Sequence, residues 1–173
     1  MVEQNKNWNP QLANPTLRQA AETASSMMLT FHEILTKVNN AKDKTKKVEI
    51  LRQHNSAGLR QVLKGAFDPK IEWDLPTGRP PYIENDAPVG TEHTYLHTEA
   101  KRLWHFVVGA DMSLTKVKKE TLFIQMLEGL EKDEAKLLIG VKDKNLNNLY
   151  KGLTSAVVRE AFNWNDDFVK IET

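Results

Sequence analysis

The sequence predicts an all-α protein, a single-domain helical bundle of about seven helices interrupted by a long proline-rich loop. Three observations carry that reading. Apolar residues recur at the i, i+3, i+4 spacing of a buried helix face in block after block. Each block follows a residue able to cap a helix N-terminus. No segment alternates with the period of two that marks a strand, and Val and Ile in the loop would make a two-stranded scrap at most.

The first block starts at Asn14-Pro15, with Asn as N-cap and Pro at the first helical position. From there Leu17, Ala20, Ala24, Met27, Phe31, Ile34 and Val38 recur at alternating spacings of three and four, a heptad seam. A seam this short predicts one helix of a bundle, with a homodimer through the 17–38 helix as the alternative. Asn39-Asn40 ends this helix. Asp43 caps a second, carrying Val48 and Leu51, and Ser56 caps a third, with Leu59, Val62, Leu63, Ala66 and Phe67 on one face. Pro69 stops it. The short linkers predict that these helices pack as antiparallel neighbours.

Beyond the loop, Thr91 caps a helix with Leu96, Ala100, Leu103, Trp104 and Val107 on one face, closed by Gly109. The next runs from about Thr115 and buries Phe123, Met126, Leu127 and Leu130. Asp133 caps another, with Ala135, Leu138 and Ile139. The last begins near Thr154 and offers Val157, Val158, Ala161 and Phe162. The runs LKGAFD (63–68), LIGVKD (138–143) and VVREAFN (157–163) share a helix-ending pattern of two aliphatics, a small residue, then an acid or amide.

A chain of 173 residues, 40% apolar and 27% charged, fits one globular domain with a real core. It divides into a polar N-terminal tail (1–15), a helical domain (16–168) containing the loop 68–91, and a C-terminal tail (169–173). Cysteine is absent, which excludes disulfides, thiolate zinc sites and a cysteine nucleophile, and fits a reducing, intracellular setting. The first 15 residues have no apolar core of a signal peptide, and no run approaches the roughly 18 apolar residues of a membrane span. The expectation is a soluble, cytoplasmic protein with no membrane partner.

Net charge is +1 but unevenly spread. Residues 37–64 carry eight basic side chains against Asp43 and Glu49, while residues 65–91 carry two against five acidic ones. Either the basic segment meets an anionic partner, or it faces the acidic loop.

Few constellations carry chemistry. His93 and His97 lie one helical turn apart and are the one weak metal candidate, but Thr94 stands where a zincin motif needs Glu, and a third ligand is missing. No Gly-rich phosphate loop or nucleophile elbow appears. The sequence therefore points to no catalytic residue, no cofactor and no enzyme. Lys42, Lys44, Lys46 and Lys47, with Lys116, Lys118 and Lys119, are candidate anion contacts near two predicted helix starts, the basis of a nucleic-acid-binding reading. Trp73, Arg79 and Tyr82 in the loop, with Trp164 and Phe168 near the C-terminus, are candidate partner contacts, because aromatics and Arg dominate binding hot spots.

The runs FDPKIEWDLPTGRPPY (67–82), NDAPVGTEHT (85–94) and YKGLTSAVVREAFNWNDDF (150–168) resemble a family of small, functionally uncharacterised proteins encoded by tailed phages, notably T4-like phages of marine cyanobacteria. The resemblance covers the chain from about His32 to the end. It implies a phage product made in the bacterial host cytoplasm, acting there or packed into the virion, and carries over no active residues. The expected function is a non-enzymatic interaction module binding a phage or host protein through the 68–91 loop. The alternatives are a nucleic-acid-binding accessory protein and a virion structural component.

Overall fold

Side-chain oxygens set most of the helix starts. In the computed structural model, which describes residues 29–88 and 93–172, Thr30 caps α1 (Phe31–Asn40) in a capping box closed by Glu33. Asp43 caps α2 (Lys44–Gln53), Ser56 caps α3 (Ala57–Phe67), Thr115 caps α5 (Lys116–Gly129) and Thr154 caps α8 (Ser155–Phe162). Between them lie α4 (Leu96–Glu99), which runs directly into a 3-10 helix (Ala100–Phe106), then α6 (Lys132–Lys142) and α7 (Leu146–Leu149). The described residues contain no strand, only isolated bridges. The fold is all-α.

Four local readings are corrected. Thr30 is extended, so the helix does not run unbroken from residue 15, and Phe31, Ile34 and Val38 are buried in the domain's own core. That half of the heptad seam is unavailable to a second copy; Leu17, Ala20, Ala24 and Met27 lie outside the described residues. Glu131, not Asp133, caps α6, accepting from the amides of Asp133 and Glu134. α7 had no sequence signal. The helix expected after residue 91 is one α-turn followed by a 3-10 helix, where residues three apart eclipse each other. Ala100, Leu103 and Phe106 then fall on the buried face, and Trp104 is turned outward, 43% exposed.

Packing does not follow chain order. α2 lies against α1 and α8, whereas α3 crosses α6, α8, α4 and the 3-10 helix. Of the expected neighbours α1 and α2 pack against each other, whereas α2 and α3, joined through His54–Ser56, are not among the main packing pairs. At the centre the fully buried carboxylate of Glu134 accepts from Phe31 N and Leu96 N, both at 3.0 Å. One side chain on α6 thus satisfies amides in the first turns of α1 and α4, which would otherwise be orphaned. Burial pushes its pKa up, against the two amides, with Glu131 and Glu33 adding to the rise.

Candidate functional site

Residues 68–88 of the proline-rich segment form an ordered strap. Its acids and carbonyls are held by lysines of the bundle, so its course follows from charge as well as packing. Asp74 meets Lys119 at 2.9 Å and Lys116 at 3.6 Å at the start of α5; Leu75 to Pro81 then pass Glu120, Phe123 and Ile124; Ile83 N donates to Glu128 Oε2 at 2.8 Å near the end of α5. On its other side Lys142 Nζ donates to Pro76 O and Gly78 O at 2.7 and 2.9 Å, and Lys144 Nζ to Gly65 O and Asp68 O at 2.7 and 2.8 Å. Gly78 N in turn donates to both carboxylate oxygens of Asp143. Gly78 sits at φ 94°, a backbone state that favours glycine.

This geometry revises the roles expected of the strap's aromatics. Trp73 donates its indole N–H to Gly65 O at 3.0 Å and packs against the core, and Tyr82 is buried, with Arg79 lying 4.3 Å over its ring. Both rings pin the strap down and leave Arg79 half-exposed. Burial raises the Tyr82 pKa, with Arg79 opposing. Ile83 is a large hydrophobic side chain left 80% exposed.

The two lysine runs do not join. α2 packs on α1 and α8, while α5 packs on α6 and the 3-10 helix. Lys119 is buried and Lys116 is paired, both on Asp74, and Lys44 pairs with Glu160 at 3.0 Å. Among the described residues α5 thus pairs with Asp74 of the strap, and Glu84 with the strap's own Arg79, while no ion pair joins the strap to segment 37–64. The Lys119 hydrogen bond holds Asp74 below the ordinary carboxylate range, against the opposing effect of its burial. Lys42, Lys46, Lys47 and Lys118 carry no ion pair among the described residues.

The two histidines do not converge either. His93 lies before α4, with Nδ1 against Asn85 and Nε2 against Ala87 O, while His97 stacks on Tyr95. Among the described residues no group of three His, Asp or Glu side chains is arranged to hold a metal.

What the structure does bring together is segment 37–64 and the C-terminal aromatics. Arg52, Arg60, Lys64 and Lys170 line an open cleft of about 810 Å³ with Trp164, Phe162 and Phe168, and no carboxylate is among its lining residues. Two acids beside it are paired elsewhere, Glu160 with Lys44 and Asp166 with Arg159 at 2.6 Å. Arg52 is fixed by donating to Ala161 O and Glu160 O at the end of α8. Lys64 and Lys170 carry no ion pair among the described residues.

One wall of the cleft is a hook formed by residues 163–171. Asn163 ends α8 at φ 57°, and the chain doubles back with Asn165 N donating to Val169 O and Ile171 N to Asn163 O, both at 2.8 Å. Phe168 adopts φ 61°, which a bulky residue adopts only when its surroundings fix it. Its ring is buried 6.0 Å from Trp164, which also meets Phe162 at 5.0 Å; both meet the indole at a tilt, neither lying flat on it. Phe168 is thus a support, and Trp164 is the ring presented to the cleft. The sequence offered both halves, a basic segment and two C-terminal aromatics, but no signal linking residues a hundred positions apart.

A second surface was missed outright. His105 Nδ1 bonds Asp111 Oδ2 at 2.7 Å, closing a knuckle over residues 105–111. Trp104, stacked on His105, and Met112, 87% exposed, flank that bond, with Val108 exposed between them. Ser113 and then His105 hold the Asp111 carboxyl down at about 2. An outward Trp104 has no signature in an α-helical reading of the sequence.

No helix among the described residues is long and apolar enough to cross a membrane. No curated protein and no solved structure matches the chain. A family of unknown function, DUF6433, matches residues 34–148, from α1 through the strap to α7. That match covers well over half of the 173 residues, and the chain belongs to this family.

Proposed function

We propose that this chain is a non-enzymatic binding module for nucleic acid, with the cleft between α2, α3, α8 and the C-terminal hook as its working surface. The observation that carries the reading is the lining of that cleft: four cationic side chains, an aromatic wall and no carboxylate. Such a lining attracts phosphates without an acid to neutralise it. The module has no need of catalytic groups, and the reading uses none. The test is fluorescence anisotropy with a labelled 20-nucleotide oligomer at low salt. Binding should weaken by tenfold or more in the charge-reversed chain Arg60→Glu/Lys64→Glu/Lys170→Glu and change little in Lys42→Glu/Lys46→Glu. Equal loss in both, or no binding by the native chain, overturns it.

A second reading, a protein partner on the strap, is favoured by the rigid presentation of Ile83 and Arg79, since binding residues concentrate on loops held by a scaffold. Ile83→Asp should then abolish partner capture without lowering the melting temperature.

On the resemblance to tailed-phage proteins, the module is a phage product acting in the host cytoplasm or in the virion. Mass spectrometry of purified virions against infected-cell lysate separates the two. Stoichiometric enrichment in virions assigns it to the particle, and abundance in the lysate alone assigns it to the cell.

A further inference from the structure

We infer that the cleft reads single strands, with Trp164 as the surface on which a base stacks; this rests on the nucleic-acid reading above. Three features of the hook lead there. Trp164 lines the cleft beside Arg60, Lys64 and Lys170, so a ring and phosphate contacts share one channel. The two rings touching the indole are tilted to it by 46° and 55°, so neither is stacked parallel on it. And the backbone holds two residues, Asn163 and Phe168, in the left-handed region to place Phe168 beneath it. Lys70 Nζ adds a bond to Asp167 O at 2.6 Å, anchoring the hook from outside.

A paired duplex keeps its base faces inside the stack, so an indole recessed in a cleft reaches them only in an unpaired strand. Stacking is tolerant of base identity, because every base has a π-face. The predicted ligand is single-stranded DNA or RNA with little sequence preference, its phosphates on Arg60, Lys64 and Lys170 and one base on Trp164. Phe168 is a positioning residue that sets the indole's orientation.

The test titrates the native chain with a dT 20-mer, with the 20-base-pair duplex and with polyglutamate, reading intrinsic tryptophan fluorescence. The dT oligomer should quench emission and bind at least about tenfold tighter than the duplex, and Trp164→Phe, which keeps a ring in the aromatic cluster, should lose most of the quench. Photocrosslinking a 5-iodouracil-substituted oligomer to the native chain needs no variant, and the adduct should map to Trp164. Equal affinity for strand and duplex, or an adduct confined to Trp73 or Trp104, overturns the single-strand inference while leaving salt-sensitive nucleic-acid binding standing. Failure to bind either nucleic acid, or polyglutamate binding as tightly as dT, overturns both.

Discussion

Gly65 and Trp73 are fitted so closely that a methyl group on Gly65 would stand 2.7 Å from Cζ2 of the indole. The same glycine gives its carbonyl to the indole N–H and to Lys144 Nζ. A helical position that would ordinarily favour alanine is thus reserved for the start of the strap.

Gly65→Ala is therefore expected to destabilise the fold by roughly 1–3 kcal/mol, the cost of overpacking outweighing the gain in helix propensity of about 1 kcal/mol. Trp73→Ala should cost about 3 kcal/mol by leaving a cavity. Thermal melts of the single and double variants check this, and the double variant should lose less than the sum, because the clash and the ring disappear together.

The pair Asp74–Lys119 should be the strap's strongest tether. Lys119 is 4% exposed, so Asp74→Asn leaves an ammonium buried without its counter-charge. The expected loss is roughly 2 kcal/mol, below the about 3–5 kcal/mol of a fully buried pair because the Asp74 side chain retains 19% exposure. Asp74 titrates below its ordinary value, so its stabilising contribution is complete above about pH 4 and fades as pH falls through the depressed folded value. Chemical denaturation between pH 3 and 7 should show that acid limb in the native chain and a shallower one in Asp74→Asn.

Glu134 predicts the opposite slope in a higher window. Its folded pKa lies above the ordinary value, so folding favours the protonated acid. Stability from this group should rise as pH falls from neutral through the raised folded value and level off near the ordinary value of about 4.3. Glu134→Gln should flatten that slope. Glu134→Ala should cost roughly 2–4 kcal/mol, since it strands the amides of Phe31 and Leu96 in the core.

The contrast between these groups shows what was legible in the sequence. Caps at Asp43 and Ser56, and helix starts near Thr115 and Thr154, were readable because capping is local: an oxygen and an amide three residues away. The apolar faces of α3, α5 and α8 were readable because period alone fixes them. Glu134 was not, because its partners lie 103 and 38 residues away. Trp104 was misplaced because nothing in the sequence distinguishes a 3-10 continuation from an α-helix. The strap's aromatics are legible as candidates for partner contact or for pinning the loop, and period and composition do not decide between the two; lysines of α5 and α6, distant in sequence, hold the strap on the bundle.

Trp104 supplies a check on that correction. With its ring outward, Trp104→Ala should lower stability by less than about 1 kcal/mol, in contrast to the core-facing Trp73. Its native emission should also be accessible to acrylamide. A loss as large as that of Trp73→Ala would return Trp104 to the core and restore the α-helical register.

The most direct test of the central claim, that the cationic cleft is the working surface, is an amide-resolved NMR titration of the chain with a dT 20-mer. Shifts should concentrate at Arg52 to Lys64 and at residues 163–171, weakening as salt is raised. Shifts centred on the strap at 74–83 or on Lys116 and Lys118, or no shifts at all, would contradict it.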